Sequence, residues 1–238
     1  KKVDQIPWQH FELIQAKLQL NYDIAVFWVP GFYSSKSLPL FSGACSYETS
    51  IGTFIQLHER LKSKPSIGTL NRNELLIHEL THAARAPLHA SRFEELFAYR
   101  LSHSKFRRIF SPVAQQPTDS LLFALFAIIS MVTDVPMLFS GFWRVVSKGP
   151  VLFSVLFALI RLFRTRNTLK HAQKLLEQAN VSRQYIDAVL FRMSDGEIEM
   201  CAKLHSSHEG AAKFKKYMSQ QYTQGNLQWQ IIQHAYCN

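Results

Sequence analysis

The chain reads as α+β and mostly helical. Three observations carry this. Helix-capping patterns and 3.6-residue apolar spacing recur from Trp8 to the C-terminal region, β-rich runs are confined to residues 24 to 57, and a long apolar stretch of helical character fills roughly residues 120 to 160. They divide the 238 residues into a core region at 1–118, an apolar helical hairpin at 119–164 and a C-terminal helical region at 165–238. With 47% hydrophobic residues there is ample core for one domain with a helical appendage.

The elements follow in order. Trp8 to Leu20 has helical spacing of Phe11, Leu13, Ile14, Leu18 and Leu20, and Ile24 to Val29 is a β-rich run ended by Pro30-Gly31. Leu38 to Tyr47 and Thr53 to Leu57 supply two further short strands. Asn71-Arg72-Asn73-Glu74 forms a capping box opening a helix that ends soon after Arg85, because Pro87 cannot continue the hydrogen-bond ladder. Ser91 and Glu94 stand at the N-cap and N3 positions of a second capping box. Downstream, Leu169 to Ala179 has helical spacing, Ser182 is an N-cap for a helix through Arg192, and Ser194-Asp195-Gly196-Glu197 repeats the capping box ahead of Ile198 to Leu204.

The chemistry sits on the second of these helices, in His78-Glu79-Leu80-Thr81-His82. Two His four residues apart project from one helical face and can bind one metal, while Glu79 can reach a water on that metal. A chance match arises in roughly 2% of chains of this composition, so the flanking helix signals matter. A catalytic zinc needs a third protein ligand. The nearest downstream carboxylates are Glu94 and Glu95; capping gives Glu94 a structural task and leaves Glu95 for the metal, with Glu94 as the alternative.

H-E-L-T-H followed on the next helix by Glu95-Leu96-Phe97-Ala98-Tyr99 resembles the gluzincin class of zinc metallopeptidases, most of all its HtpX-type and prenyl-protein endopeptidase branch. The match covers roughly residues 71 to 100. It implies His78, His82 and Glu95 as Zn2+ ligands, Glu79 as general base, a zincin-like core whose small sheet offers a substrate-binding edge within residues 38 to 57, and a peptide or protein substrate. The sequence departs from that branch at Tyr99, which stands where its signature has Asp, so a carboxylate orienting a ligand His must come from elsewhere. Its apolar segments also come after the site rather than between the His motif and the Glu. Tyr99, His103 and His205 are candidates for a second oxyanion donor; His205 and His208, three apart, are more commonly solvated helix-end residues.

Residues Ser120 to Trp143 contain one charge, Asp134, and Gly149 to Ile160 contain none, with Arg144, Lys148, Gly149 and Pro150 marking the break. The first arm is long enough to span a membrane and the second, with about 15 apolar residues, is short. Arg100, Lys105, Arg107 and Arg108 precede the hairpin and Arg161, Arg164, Arg166 and Lys170 follow it, which places both ends and the site on the cytoplasmic side. The competing reading is a Phe-rich buried core in a soluble cytoplasmic protein, with Asp134 and Pro136 interrupting the first arm.

Net charge is +10, but the basic residues cluster beside the hairpin and at Lys213, Lys215 and Lys216 without a nucleic-acid motif, so anionic lipid is the expected partner and nucleic acid is not. Cys45, Cys201 and Cys237 are odd in number and widely spaced, as in a reducing compartment. The chain opens Lys1-Lys2-Val3-Asp4 with no secretory pattern; lacking Met, the start leaves room for an upstream segment. Three classes are therefore carried: a membrane-associated zinc peptidase, a soluble regulatory one, and a non-enzymatic membrane or scaffold protein on a metal-binding fold.

Overall fold

The computed structural model describes residues 4–38, 42–113, 117–134 and 141–237. In order these form β1 (Asp4–Gln5), α1 (Gln9–Tyr22), β2 (Gly31–Tyr33), β3 (Ala44–Thr49), β4 (Gly52–Leu57), β5 (Ser66–Ile67), β6 (Leu70–Asn71), α2 (Arg72–Arg85), α3 (Glu94–Arg100), α4 (Lys105–Phe110), α5 (Pro117–Thr133), α6 (Gly141–Val146), α7 (Lys148–Gln178), α8 (Ile186–Arg192), α9 (Asp195–His205), α10 (Gly210–Thr223) and α11 (Leu227–Tyr236). The chain is 67% helical with a small mixed sheet, in keeping with the expected α+β class.

The sheet has the order β1-β2-β4-β3, with β2 and β4 parallel and the other two pairs antiparallel. Its placement corrects one expectation. Ile24 to Val29 is not a strand, because the buried Gln15 amide takes both backbone groups of Val26, donating from Nε2 to its carbonyl at 2.6 Å and accepting its N–H at 2.7 Å. With Val26 satisfied locally, pairing begins only at Gly31, where an added Cβ would lie 2.7 Å from Ile6 Cδ1. β3 and β4 bear out the two later strands, although residues 39–41 of the first lie outside the described residues.

α1 buries Phe11, Ile14, Leu18 and Tyr22 at the i, i+3, i+4 spacing, whereas Leu13 and Leu20 face outward, 75% and 86% exposed. α2 lies across β3, β4 and α1 and is capped by Asn71, whose side chain accepts from the N–H groups of Asn73 and Glu74. The reciprocal half of that capping box is absent. Glu74 instead accepts from Ser102 Oγ, the His103 N–H and Arg107 Nη1, tying the far end of α3 to the start of α2. α2 stops at Arg85 ahead of Pro87, as the sequence implies.

The C-terminal helices are not an appendage. Residues from Ile6 to Tyr236 share one core, in which Tyr22 stacks on Phe191 and Phe97 meets both edge-on, with ring centroids 4.3 to 5.9 Å apart. Arg85 is fully buried there, its guanidinium 4.6 Å from the Phe97 ring and donating to the Phe191 and Met193 carbonyls. The Ser194–Glu197 capping box is present, and Glu197 further accepts from Trp229 Nε1 at 2.6 Å.

In the hairpin, the division expected at residues 164 and 165 falls inside α7, which runs unbroken to Gln178. The break between arms also comes earlier than expected. α5 ends at Thr133, Trp143 belongs to α6, and Lys148, Gly149 and Pro150 open α7 rather than interrupt the chain; Pro is tolerated there because first-turn N–H groups have no helical partner. Pro136 and its neighbours at 135–140 lie outside the described residues. Together α6 and α7, Gly141–Gln178, make one helical stretch long and apolar enough to cross a membrane by length and composition. α5 packs along α7, yet Leu121, Phe123, Leu125, Ile128, Leu152, Phe153, Leu156 and Phe157 are all exposed. The Phe-rich stretch is therefore not a core. Two ion pairs cross between the arms: Asp134 with Lys148 at 2.6 Å, and Asp119 with Arg161.

Candidate metal centre

α2 brings His78 and His82 onto one face, their Nε2 atoms 3.2 Å apart. The turn after Arg85 returns the chain so that Glu95, in the first turn of α3, faces both rings: its Oε1 lies 3.4 Å from His82 Nε2 and its Oε2 3.8 Å from His78 Nε2. One donor atom from each of His78, His82 and Glu95 lies within 4.8 Å of the others, and the group could hold a metal ion. Two imidazole nitrogens and one carboxylate oxygen suit zinc and its neighbours better than calcium or magnesium, which prefer all-oxygen sites.

Glu94 proves to have another task than the one its spacing suggests. α3 begins at Glu94 itself, with Phe93 at the N-cap and no side-chain cap, so the Ser91–Glu94 capping box does not form. The N–H groups of Ser91 and Arg92 donate instead to Asp195 Oδ2, at 2.9 and 2.8 Å. Freed from capping, Glu94 lies 3.1 Å from His82 Nδ1 through its Oε2 and fixes the ring so that Nε2 points at the shared centre. Glu94 thus supplies a carboxylate against the His82 ring, a contact that Tyr99 cannot make. Tyr99 presents its ring to His78 at 4.6 Å, and His78 Nδ1 is buried without a hydrogen-bond partner among the described residues.

Asp195 was invisible to local sequence reasoning for the same reason that it matters. From the start of α9 it holds the entry to α3, while its other oxygen lies 4.0 Å from Arg85 Nη2 at the end of α2. It thereby spans the two helices that carry the metal-facing residues. Arg92 pairs with Glu199 one turn further along α9.

Electrostatics are concentrated here. Burial drives the His78 pKa down to about 4, helped by charge on His82. Burial opposes charge on His82 as well, but hydrogen bonds and proximity to Glu94 and Glu95 outweigh it and lift that ring to about 10. Glu95 is held below the usual carboxylate range because His82 overcomes the cost of its burial. Burial raises Glu79, 8% exposed, while charge on His82 and then a hydrogen bond with Ser46 on β3 limit the rise. Three carboxylates around two imidazoles make a strongly cation-seeking centre.

The centre lies between two clefts. One, of about 350 Å³, is lined by Gly43 and Ala44, Leu70, His78, Glu79, Tyr99 and Arg107; the other, of about 240 Å³, by Ser46, Glu48, His82 and Glu94. β3, an edge strand of the sheet, borders both. Of the oxyanion candidates only Tyr99 lines a cleft with His78 and Glu79. His103 borders a separate cavity with Lys17 and Asn73, His205 sits 5.4 Å from the His171 ring between α7 and α9, and His208 is exposed. No protein-family profile, curated protein or solved structure matches this chain.

Proposed function

We propose that this chain is a zinc-dependent peptidase of gluzincin type, with His78, His82 and Glu95 as zinc ligands and Glu79 as general base. The observation that carries the reading is the placement of Glu79: a buried carboxylate beside three convergent metal donors, opening onto a cleft edged by a strand able to pair with extended peptide. A site that merely held zinc for structure would have no use for that carboxylate.

Zinc bound here would supply Lewis acidity, polarising a peptide carbonyl and acidifying a water. The chain's own residues do the rest. Glu79, its proton affinity raised by burial, takes the proton of the attacking water and returns it to the leaving amine. Glu94 keeps the His82 ring in its ligand orientation. The Tyr99 side chain stands in the cleft to donate to the developing oxyanion. Substrate backbone would pair with β3 and run through both clefts across the centre.

The exposed arms support membrane association with the site on the cytoplasmic side. The two carboxylates of the first arm, Asp119 and Asp134, are each neutralised by a basic partner on the second, Arg161 and Lys148, which reduces the cost of placing the pair in hydrocarbon. Basic residues concentrate at the base of the hairpin. Purified chain tested for metal and for cleavage of a peptide library checks the reading. Stoichiometric zinc with Glu79-dependent cleavage is the expected outcome; a chain that binds no transition metal contradicts it.

A further inference from the structure

Where α7 leaves the body, α4 and the base of the second arm form a further apolar surface beside the hairpin. α4 exposes Phe106, Ile109 and Phe110, at positions i, i+3 and i+4 of one face, and Phe163 on α7 is exposed as well. Among the described residues these side chains are left largely open: Phe106 is 69% and Phe163 59% exposed. Lys105, Arg108 and Arg164, all exposed, are interleaved with them in sequence on the same two helices. α4 is tied to α7 rather than loose, since Arg166 Nη2 donates to the carbonyls of Arg108 and Ile109 at 2.8 and 2.5 Å.

Bulky apolar groups beside exposed cations fit the boundary between acyl chains and anionic headgroups, where apolar side chains enter the hydrocarbon edge and Lys and Arg remain with phosphate. An aqueous protein partner would not explain why the patch is continuous with the hairpin base. We propose that α4 and Phe163, with Lys105, Arg108 and Arg164, form a collar that docks on an anionic phospholipid bilayer and seats the protein at headgroup level. This rests on the hairpin entering the same bilayer. The consequence for the site is direct. Arg107, within α4, and Ser111, just beyond it, line the metal cleft, and Ser111 also lines the apolar groove between α5 and α7, so the collar would set the cleft mouth at the bilayer surface.

The test uses the full chain in phosphatidylcholine vesicles with and without phosphatidylglycerol. Two photoreactive phospholipids are compared, one with its diazirine near the glycerol and one with it at the acyl-chain end, and labelled peptides are mapped by mass spectrometry. Peptides covering 105–110 should be labelled by the glycerol-proximal probe, more strongly with phosphatidylglycerol, while 121–132 and 151–160 are labelled by the chain-end probe. The triple variant Lys105→Gln, Arg108→Gln, Arg164→Gln should lose the phosphatidylglycerol-dependent gain, on the order of five-fold per residue removed, with hairpin labelling and metal content unchanged. Hairpin labelling without collar labelling, or collar labelling indifferent to phosphatidylglycerol and to the triple variant, overturns the collar alone. Absence of labelling in both regions overturns the collar and the membrane reading together. Chain-to-chain cross-links through 105–110 would assign the patch to a second copy of the protein instead.

Discussion

The body and the hairpin place their large apolar side chains in opposite ways. In the body, Leu76, Leu80, Phe93, Phe97 and Phe191 are buried against one another, and even the charged Arg85 is enclosed and hydrogen-bonded. In the hairpin the large side chains point outward while the few polar ones pair between the arms: Asp134 with Lys148, Asp119 with Arg161, and Thr133 with Ser147. The inversion teaches that apolar content alone does not mark a core. The body encloses a core; the hairpin leaves a contiguous apolar surface exposed, and patches of this kind mark interaction surfaces.

Breaking the metal chemistry should have the largest effect. Glu79→Gln is nearly isosteric and leaves the three ligands intact, so it should retain zinc while lowering kcat by two to four orders of magnitude in a peptide-cleavage assay. Wild-type turnover in that variant would remove Glu79 from the mechanism.

Packing changes sharpen the contrast between the regions most directly. Leu176→Ala, at a fully buried position, should cost about 2–5 kcal/mol in denaturant unfolding, whereas Leu152→Ala, 69% exposed, should stay within roughly 0.5 kcal/mol in detergent solution. Equal losses would mean that the hairpin is packed like the body after all.

Smaller effects are expected one step out from the ligands. Glu94→Ala should weaken metal affinity about 10–100-fold by freeing the His82 ring, and Asp195→Ala should act in the same direction by loosening the entry to α3. Chelator competition in the folded protein measures both. Reduced thermal stability with unchanged affinity would show that Asp195 serves only the fold.

What the sequence made legible follows from range. His78, Glu79 and His82 share one helical turn, and Glu95 lies one short turn away, so spacing was enough to group them. Glu94 was misassigned because a capping box is a local inference, and the group that displaced it, Asp195, arrives from 104 residues downstream. The false strand at Ile24 to Val29 has the same origin: β propensity was read correctly, but the Gln15 amide on a neighbouring helix outcompeted a sheet partner for Val26. The hairpin break was misplaced because Pro150 terminates a helix in one context and opens one in another.

The central claim is that His78, His82 and Glu95 hold one catalytic zinc. Metal content measured on purified chain and on His78→Ala, His82→Ala and Glu95→Ala tests it most directly. The account predicts about one zinc per wild-type chain and loss in each variant. Full zinc retention in Glu95→Ala, or its loss only in Glu94→Ala, would contradict the ligand set.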